Sequence, residues 1–397
     1  YAGTETGVFV SLDDGAHWQP LQKNLPTAWV RDLLVHGNDL IAATQGRAIW
    51  VLDDVSSLRQ TSAAIMREPA HLYTPAPAVR VRANENKDTP LPPETALGQN
   101  PPSGAVIDYR LAAAAKGPVT LDILDSKGQP VRHYASNDKP EKLDADRYFE
   151  EGWLRPGAPL SAAAGTHRFV WDLHYPRPPA IEYGYSIAAT WDSDTPLTPG
   201  GALALPGTYQ VVLKVDGKTY RVPLQVTADP RGHVSESELA AGLAFSQHIG
   251  QTLQQVWQNY GDVQSVRKQL DALHEKLGKD SARQPLLTGV DALRAKTQPL
   301  VSGSGETSSN LHAMSDALTA IATDVEGADS APTTGQQQAL AEYESNLDKA
   351  LAQWQTLRTT DLPKLNGQLH DAGIATIVLQ APGQVHADEP GESQDMP

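Results

Sequence analysis

The chain has 397 residues, with 32 Lys and Arg against 47 Asp and Glu, a net charge of −15. That length predicts more than one domain, and that charge argues against phosphate neutralisation of nucleic acid. With 40% apolar and 20% charged residues the chain has material for packed cores. With no cysteine it has no disulfide, thiolate metal site or cysteine nucleophile.

The first 60 residues contain an internal repeat. Shifting the sequence by 40 lays 1–14 on 41–54. Ala2, Thr4, Leu12, Asp13 and Asp14 then meet identical residues, and Phe9 meets Ile49. A period near 40 with short strands and turn residues is a propeller-blade signature. Residues 30–35, 40–44 and 48–52 read as strands. Tyr1 falls inside a strand-like segment, so the reading is of a cut blade in a larger protein. The remaining blades then belong to the same parent chain or to another chain, because isolated blades cannot bury their faces.

Residues 61–103 are Pro-rich and read as linker, with at most one strand near 71–82. Residues 104–228 alternate apolar and polar residues between turn signals. Asp125-Ser-Lys-Gly128 and Asp216-Gly217 mark two hairpins. About seven strands predict an immunoglobulin- or fibronectin-like sandwich, interrupted by insertions at 135–164 and 175–205. Residues 235–372 predict an antiparallel helical bundle. Its longest helix carries apolar residues in steps of three and four from Leu239 to Leu277. Within-chain packing of that stripe is favoured over a dimerising coiled coil. Residues 373–397 read as an acidic tail. The fold class is thus multi-domain β plus α: terminal β-propeller blades, a sandwich and a helical bundle.

Ser11-Leu-Asp-Asp-Gly-Ala-His-Trp18 fits Ser/Thr-x-Asp-x-Gly-x-x-Trp. Ser11 and Asp13 can satisfy turn amides, Gly15 permits a positive φ, and Trp18 is expected to pack between blades. In the second copy Val55 and Leu58 replace the Gly and Trp, so it is degenerate. A structural role for these acids is favoured over catalysis. His174 and His233 lack ligand partners at metal-binding spacing. Asp144, Asp146, Glu150 and Glu151 lack the fixed spacing of a calcium loop. Trp153, Tyr183, Tyr185 and Trp191 lie in the insertions, where they either stack on a ligand or cover sandwich edges.

The Ser11–Trp18 motif is the Asp-box, or BNR repeat. With 44–54, Gly165-Thr-His-Arg-Phe-Val-Trp-Asp-Leu173, Pro206-Gly-Thr-Tyr-Gln-Val-Val-Leu213 and Asp361-Leu-Pro-Lys-Leu-Asn366, the chain resembles the C-terminal portion of a bacterial family. That family comprises secreted BNR-repeat, glycosyl-hydrolase-like proteins with sortilin-type propellers. The resemblance covers residues 1 to about 372 and implies a secreted or periplasmic protein. It implies a scaffold and accessory role beside a polysaccharide-binding or polysaccharide-cleaving propeller. The alternative is a sortilin-like propeller that holds peptides or proteins without hydrolysis. No catalytic residue is carried over, and no cofactor, metal, nucleic acid or membrane span is expected.

Overall fold

The computed structural model describes residues 1–82, 98, 101–139, 159–183, 200–279, 283–302 and 310–379. The protein is mixed β and α, and it divides into two units. One comprises 1–176 and 185–235; the other comprises 177–184 and 236–397.

The first unit opens with two three-stranded antiparallel sheets. Strands β1 (Ala2–Thr4), β2 (Gly7–Val10) and β3 (Gln19–Pro20) form one. Strands β4 (Val30–His36), β5 (Asp39–Thr44) and β6 (Ile49–Leu52) form the other. The repeat is visible in the pairing: Gly3 faces Val8 in the first sheet, and Ala43 faces Ile49 in the second. The second turn is one residue longer, and Ala48 takes up that residue at φ 63°. Val8, Leu40, Ala42 and Val55 form a small shared core, with Leu33, Trp50 and Leu52 packed on it. Gly3 lets the strands approach closely, because a Cβ there would sit 2.6 Å from Val30 Cγ1 and force that side chain to shift. The short helix α1 (Ser56–Gln60) leads out of these sheets.

Two further sheets share a larger core. The five-stranded sheet runs β11 (Pro130–Ala135), β10 (Thr120–Leu124), β13 (Gly207–Val215), β14 (Lys218–Ala228), β8 (Ala78–Arg80). The three-stranded sheet runs β12 (Gly165–Trp171), β9 (Ala105–Leu111), β7 (Ala70–Leu72). Alternation along β10 and β13 turns Leu121, Ile123, Val211 and Leu213 inward, where they meet Ile107, Tyr109 and Trp171. Each such side chain contributes about 1.5–3 kcal/mol by leaving water. The β13–β14 hairpin turns on Asp216 and Gly217, at φ 47° and 77°, the conformation that Asp-Gly favours in two-residue hairpins.

The Pro-rich stretch is thus more than a linker. It supplies β7, antiparallel to β9, and β8, parallel to β14. Each is three residues long, so no periodicity announces it.

The second unit is helical: α2 (Glu236–Leu277), α3 (Gln284–Val301), α4 (Leu311–Glu326), α5 (Thr334–Thr356) and α6 (Leu362–Asp371). Acids Glu236 and Glu238 lie in the first turn of α2, and His274 and Lys276 in its last, both matched to the helix dipole. Its apolar stripe, including Ile249, Leu253, Val256, Val263 and Leu270, is covered within the chain by the other helices. A capping box of Thr333 and Gln336 starts α5. A π-helical turn, Leu357–Asp361, joins α5 to α6. Pro363 has no amide to give to the carbonyl one turn earlier, and the ladder widens just before it.

Two expected boundaries move. Residues 177–183 were expected within the sandwich insertion, yet they belong to the helical unit. Ala180 and Ile181 pack on its core, and the Ile181 amide donates to Ser315 Oγ at 3.2 Å. The tail expected from 373 begins later, because Ile374 and Ile377 are buried in the same core. Asn366 grips Ile377 through its amide and carbonyl, at 2.8 and 2.9 Å.

Candidate functional site

The Ser11–Trp18 turn has the local chemistry expected of it. Asp13 Oδ1 accepts from the His17 amide at 2.8 Å, and Asp13 Oδ2 lies 2.6 Å from His17 Nδ1. Ser11 Oγ donates to Asp13 Oδ1 at 3.0 Å and accepts from the Gly15 amide at 2.7 Å. These bonds, led by the His17 amide, hold the Asp13 carboxyl down at about 2. A carboxylate so committed has no proton to give near neutral pH. Gly15 sits at φ 92°. Trp18 is 49% exposed, so within this chain its ring is about half open to solvent.

The degenerate copy shares one backbone feature with the first and then departs from it, since Gly15 has φ 92° and Val55 has φ −90°. Asp14 has φ 55° and Asp54 has φ 49°, left-handed conformations at positions 40 residues apart. Asp54 Oδ1 accepts from the Ser56 amide at 2.9 Å, and the Asp54 amide donates to Asp39 Oδ1 at 3.0 Å. Burial, and then the Asp39 charge, push the Asp53 carboxyl above its ordinary range.

This second turn is seated on Arg168 of β12. Arg168 Nε and Nη2 donate to the two Asp108 carboxylate oxygens at 2.9 and 3.0 Å. Its Nη1 and Nη2 also donate to the backbone carbonyls of Asp53 and Asp54, both at 2.6 Å. Ser57 of α1 donates to Asp108 Oδ2 at 2.5 Å. Burial alone would lower the Arg168 pKa, but Asp108 and the nearby Asp54 and Asp53 charges raise it. One guanidinium thus fastens the repeat sheets to the two-sheet core. Sequence reading missed this node. Its signal was an acid within β9 and a base within β12, which pair directly across the sheet.

Of the four insertion aromatics, Tyr183 is described. Its hydroxyl donates to the Pro178 carbonyl at 2.5 Å, and Arg177 lies 4.8 Å from its ring centroid. Burial, partly offset by Arg177, pushes its phenol up to about 12. Its ring is half-buried, in the segment 177–184 that belongs to the helical unit. Trp153, Tyr185 and Trp191 lie outside the described residues, as do Asp144, Asp146, Glu150 and Glu151. His174 Nδ1 is engaged with the Asp172 carbonyl at 2.7 Å. Among the described residues no group of three or more His, Cys, Asp or Glu is placed to hold a metal ion. No helix among them is long and apolar enough to cross a membrane.

No family model, no curated protein and no solved structure matches the chain.

Proposed function

We propose that the chain is the C-terminal scaffold and accessory part of an exported Asp-box propeller protein, glycosyl-hydrolase-like, that binds or acts on extracellular polysaccharide. In this reading residues 1–60 hold propeller blades, and the two-sheet core is an immunoglobulin- or fibronectin-like accessory domain. The remaining blades come from the same parent chain or from another chain. The observation that carries the reading is the repeated left-handed aspartate, Asp14 and Asp54, each following a pair of antiparallel strands. The hydrogen bonds of Ser11 and Asp13 support it, since they perform the turn-closing chemistry of the box.

The test is retention of soluble polysaccharides by the immobilised 397-residue chain, with reducing ends assayed in the same samples. The reading expects retention without release of reducing ends. Retention of peptides with none of polysaccharide would replace it with the sortilin-like alternative.

A further inference from the structure

Beyond α6 the chain doubles back as a strap, residues 374–379, gripped by two carboxamides. The reversal is a Schellman ending. The Gly373 amide donates to the His370 carbonyl and the Ile374 amide to the Leu369 carbonyl, both at 2.9 Å, with Gly373 at φ 69°. From α6, Asn366 Oδ1 accepts from the Ile377 amide at 2.8 Å, and Asn366 Nδ2 donates to the Ile377 carbonyl at 2.9 Å. From α2, Gln269 Oε1 accepts from the Val378 amide and Gln269 Nε2 donates to the Val378 carbonyl, both at 2.9 Å. The same Nε2 donates to the Ser265 carbonyl at 3.1 Å, which fixes how the carboxamide is turned.

Each carboxamide does for one residue what a neighbouring antiparallel strand does, exchanging both N–H and C=O with it. In an extended chain successive residues turn these groups to opposite sides, so Asn366 and Gln269 hold the strap from its two edges. The side chains alternate to match: Ile377 is 4% exposed and Val378 64%. Ile374 and Ile377 enter the helical core, while Ala375 and Thr376 are exposed. The strap is thus recognised through the peptide groups of two residues, which any residue but proline offers, and through two aliphatic side chains three apart. Backbone bonds that give affinity, with side-chain seats that give selectivity, are how proteins bind extended peptides. None of these contacts needs the strap to be continuous with α6.

We infer that the seat between Gln269 and Asn366 is a docking site for an extended peptide with two aliphatic residues three apart, and that residues 374–379 fill it as a built-in competitor. A peptide of that pattern from another protein takes the seat when the strap swings out about Gly373. The strap is tethered directly after α6, so it competes at an effective concentration on the order of millimolar or more. Every group involved belongs to the helical unit, so the site is independent of the propeller reading.

Fluorescence anisotropy of a labelled peptide, Gly-Ile-Ala-Thr-Ile-Val-Leu as in residues 373–379, tests this on the 397-residue chain. The unsubstituted chain, its seat filled, should bind the peptide weakly. Ile377→Asp unseats the strap and should bind the peptide about tenfold or more tightly. Adding Gln269→Ala to that variant should remove the gain. A peptide N-methylated at the residue matching Ile377 should not bind, because it lacks the N–H that Asn366 accepts. Far-ultraviolet circular dichroism shows whether Ile377→Asp keeps its helices. Hydrogen exchange of the unsubstituted chain needs no variant: excess peptide should quicken exchange at the Ile377 and Val378 amides, and the N-methylated peptide should not. Equal affinity of the unsubstituted chain and a folded Ile377→Asp overturns the inference. So does exchange that the peptide leaves unchanged, or an N-methylated peptide that binds as well as its parent.

Discussion

Arg168 and Asp108 face one another across β12 and β9 as a two-point ion pair, and the same guanidinium holds the carbonyls of Asp53 and Asp54. The Asp108 side chain is almost wholly buried, while that of Arg168 is about one-third exposed. Removing the cation leaves a buried carboxylate with Ser57 as its remaining partner among the described residues. Arg168→Ala is therefore expected to cost about 2–4 kcal/mol, somewhat below a fully buried pair. Ser57→Ala removes a single hydroxyl bond and should cost about 1 kcal/mol. Urea midpoints of the two variants check the order. In Arg168→Ala, limited proteolysis should first cut within residues 1–60. Equal midpoints would show that the guanidinium holds nothing.

The Asp13 carboxyl gives a prediction in pH. Its folded-state pKa is depressed to about 2 by the His17 amide and imidazole and by Ser11. A depressed carboxylate favours the folded turn above its ordinary pKa, and loses that effect as pH falls through the folded value. The turn should therefore hold at pH 5 and loosen between about 4 and 2. A carboxyl carbon NMR titration should place the Asp13 midpoint near 2. Hydrogen exchange at the His17 amide should quicken over the same window, and in Asp13→Ala at every pH. A midpoint near that of free aspartate would remove the proposed clamp.

Much of this fold was legible because its signals are local. Asp216-Gly217 announced its hairpin, alternation announced β9, β10 and β13, and the stripe from Leu239 to Leu277 announced α2. The repeat was legible because its two copies share Asp-Asp at one spacing. What escaped depends on partners distant in sequence. Strand β8 exists because Ala78 pairs with Val226, and nothing in three residues says so. The Arg168 node joins residues 60 and 115 positions apart. The 49% exposure of Trp18 likewise depends on what surrounds the turn in space and not on the motif itself.

Gly104 just before β9 marks a close approach that sequence alone did not reveal. It has φ 121°, and a Cβ there would lie 2.1 Å from the Trp171 carbonyl oxygen. The obstacle is backbone of the paired strand β12, which cannot swing aside like a side chain. Gly104→Ala should therefore cost more than the strain of an ordinary positive-φ substitution, at least about 1–3 kcal/mol. Gly128→Ala is the control, with φ 77° and nothing within 4 Å of its Cβ position. Thermal unfolding of the pair should rank Gly104→Ala well below Gly128→Ala. The reverse order would mean that the start of β9 relaxes freely.

Trp354 of α5 presents the opposite case, a buried group with a surplus donor. Its ring is 2% exposed among the apolar residues of the helical core, and its Nε1 has no hydrogen-bond partner among the described residues. The ring contributes through burial, whereas among the described residues nothing replaces the water that the N–H gives up. These two effects separate by substitution. Trp354→Phe loses some packing but also removes the unpaired donor, so its stability should stay within about 1 kcal/mol of the parent. Trp354→Ala loses the ring and leaves a cavity, and should cost about 3–5 kcal/mol. Denaturant unfolding followed by far-ultraviolet circular dichroism reads both, since the signal is dominated by helices. If Trp354→Phe were nearly as damaging as Trp354→Ala, the indole N–H would have to be holding an acceptor after all.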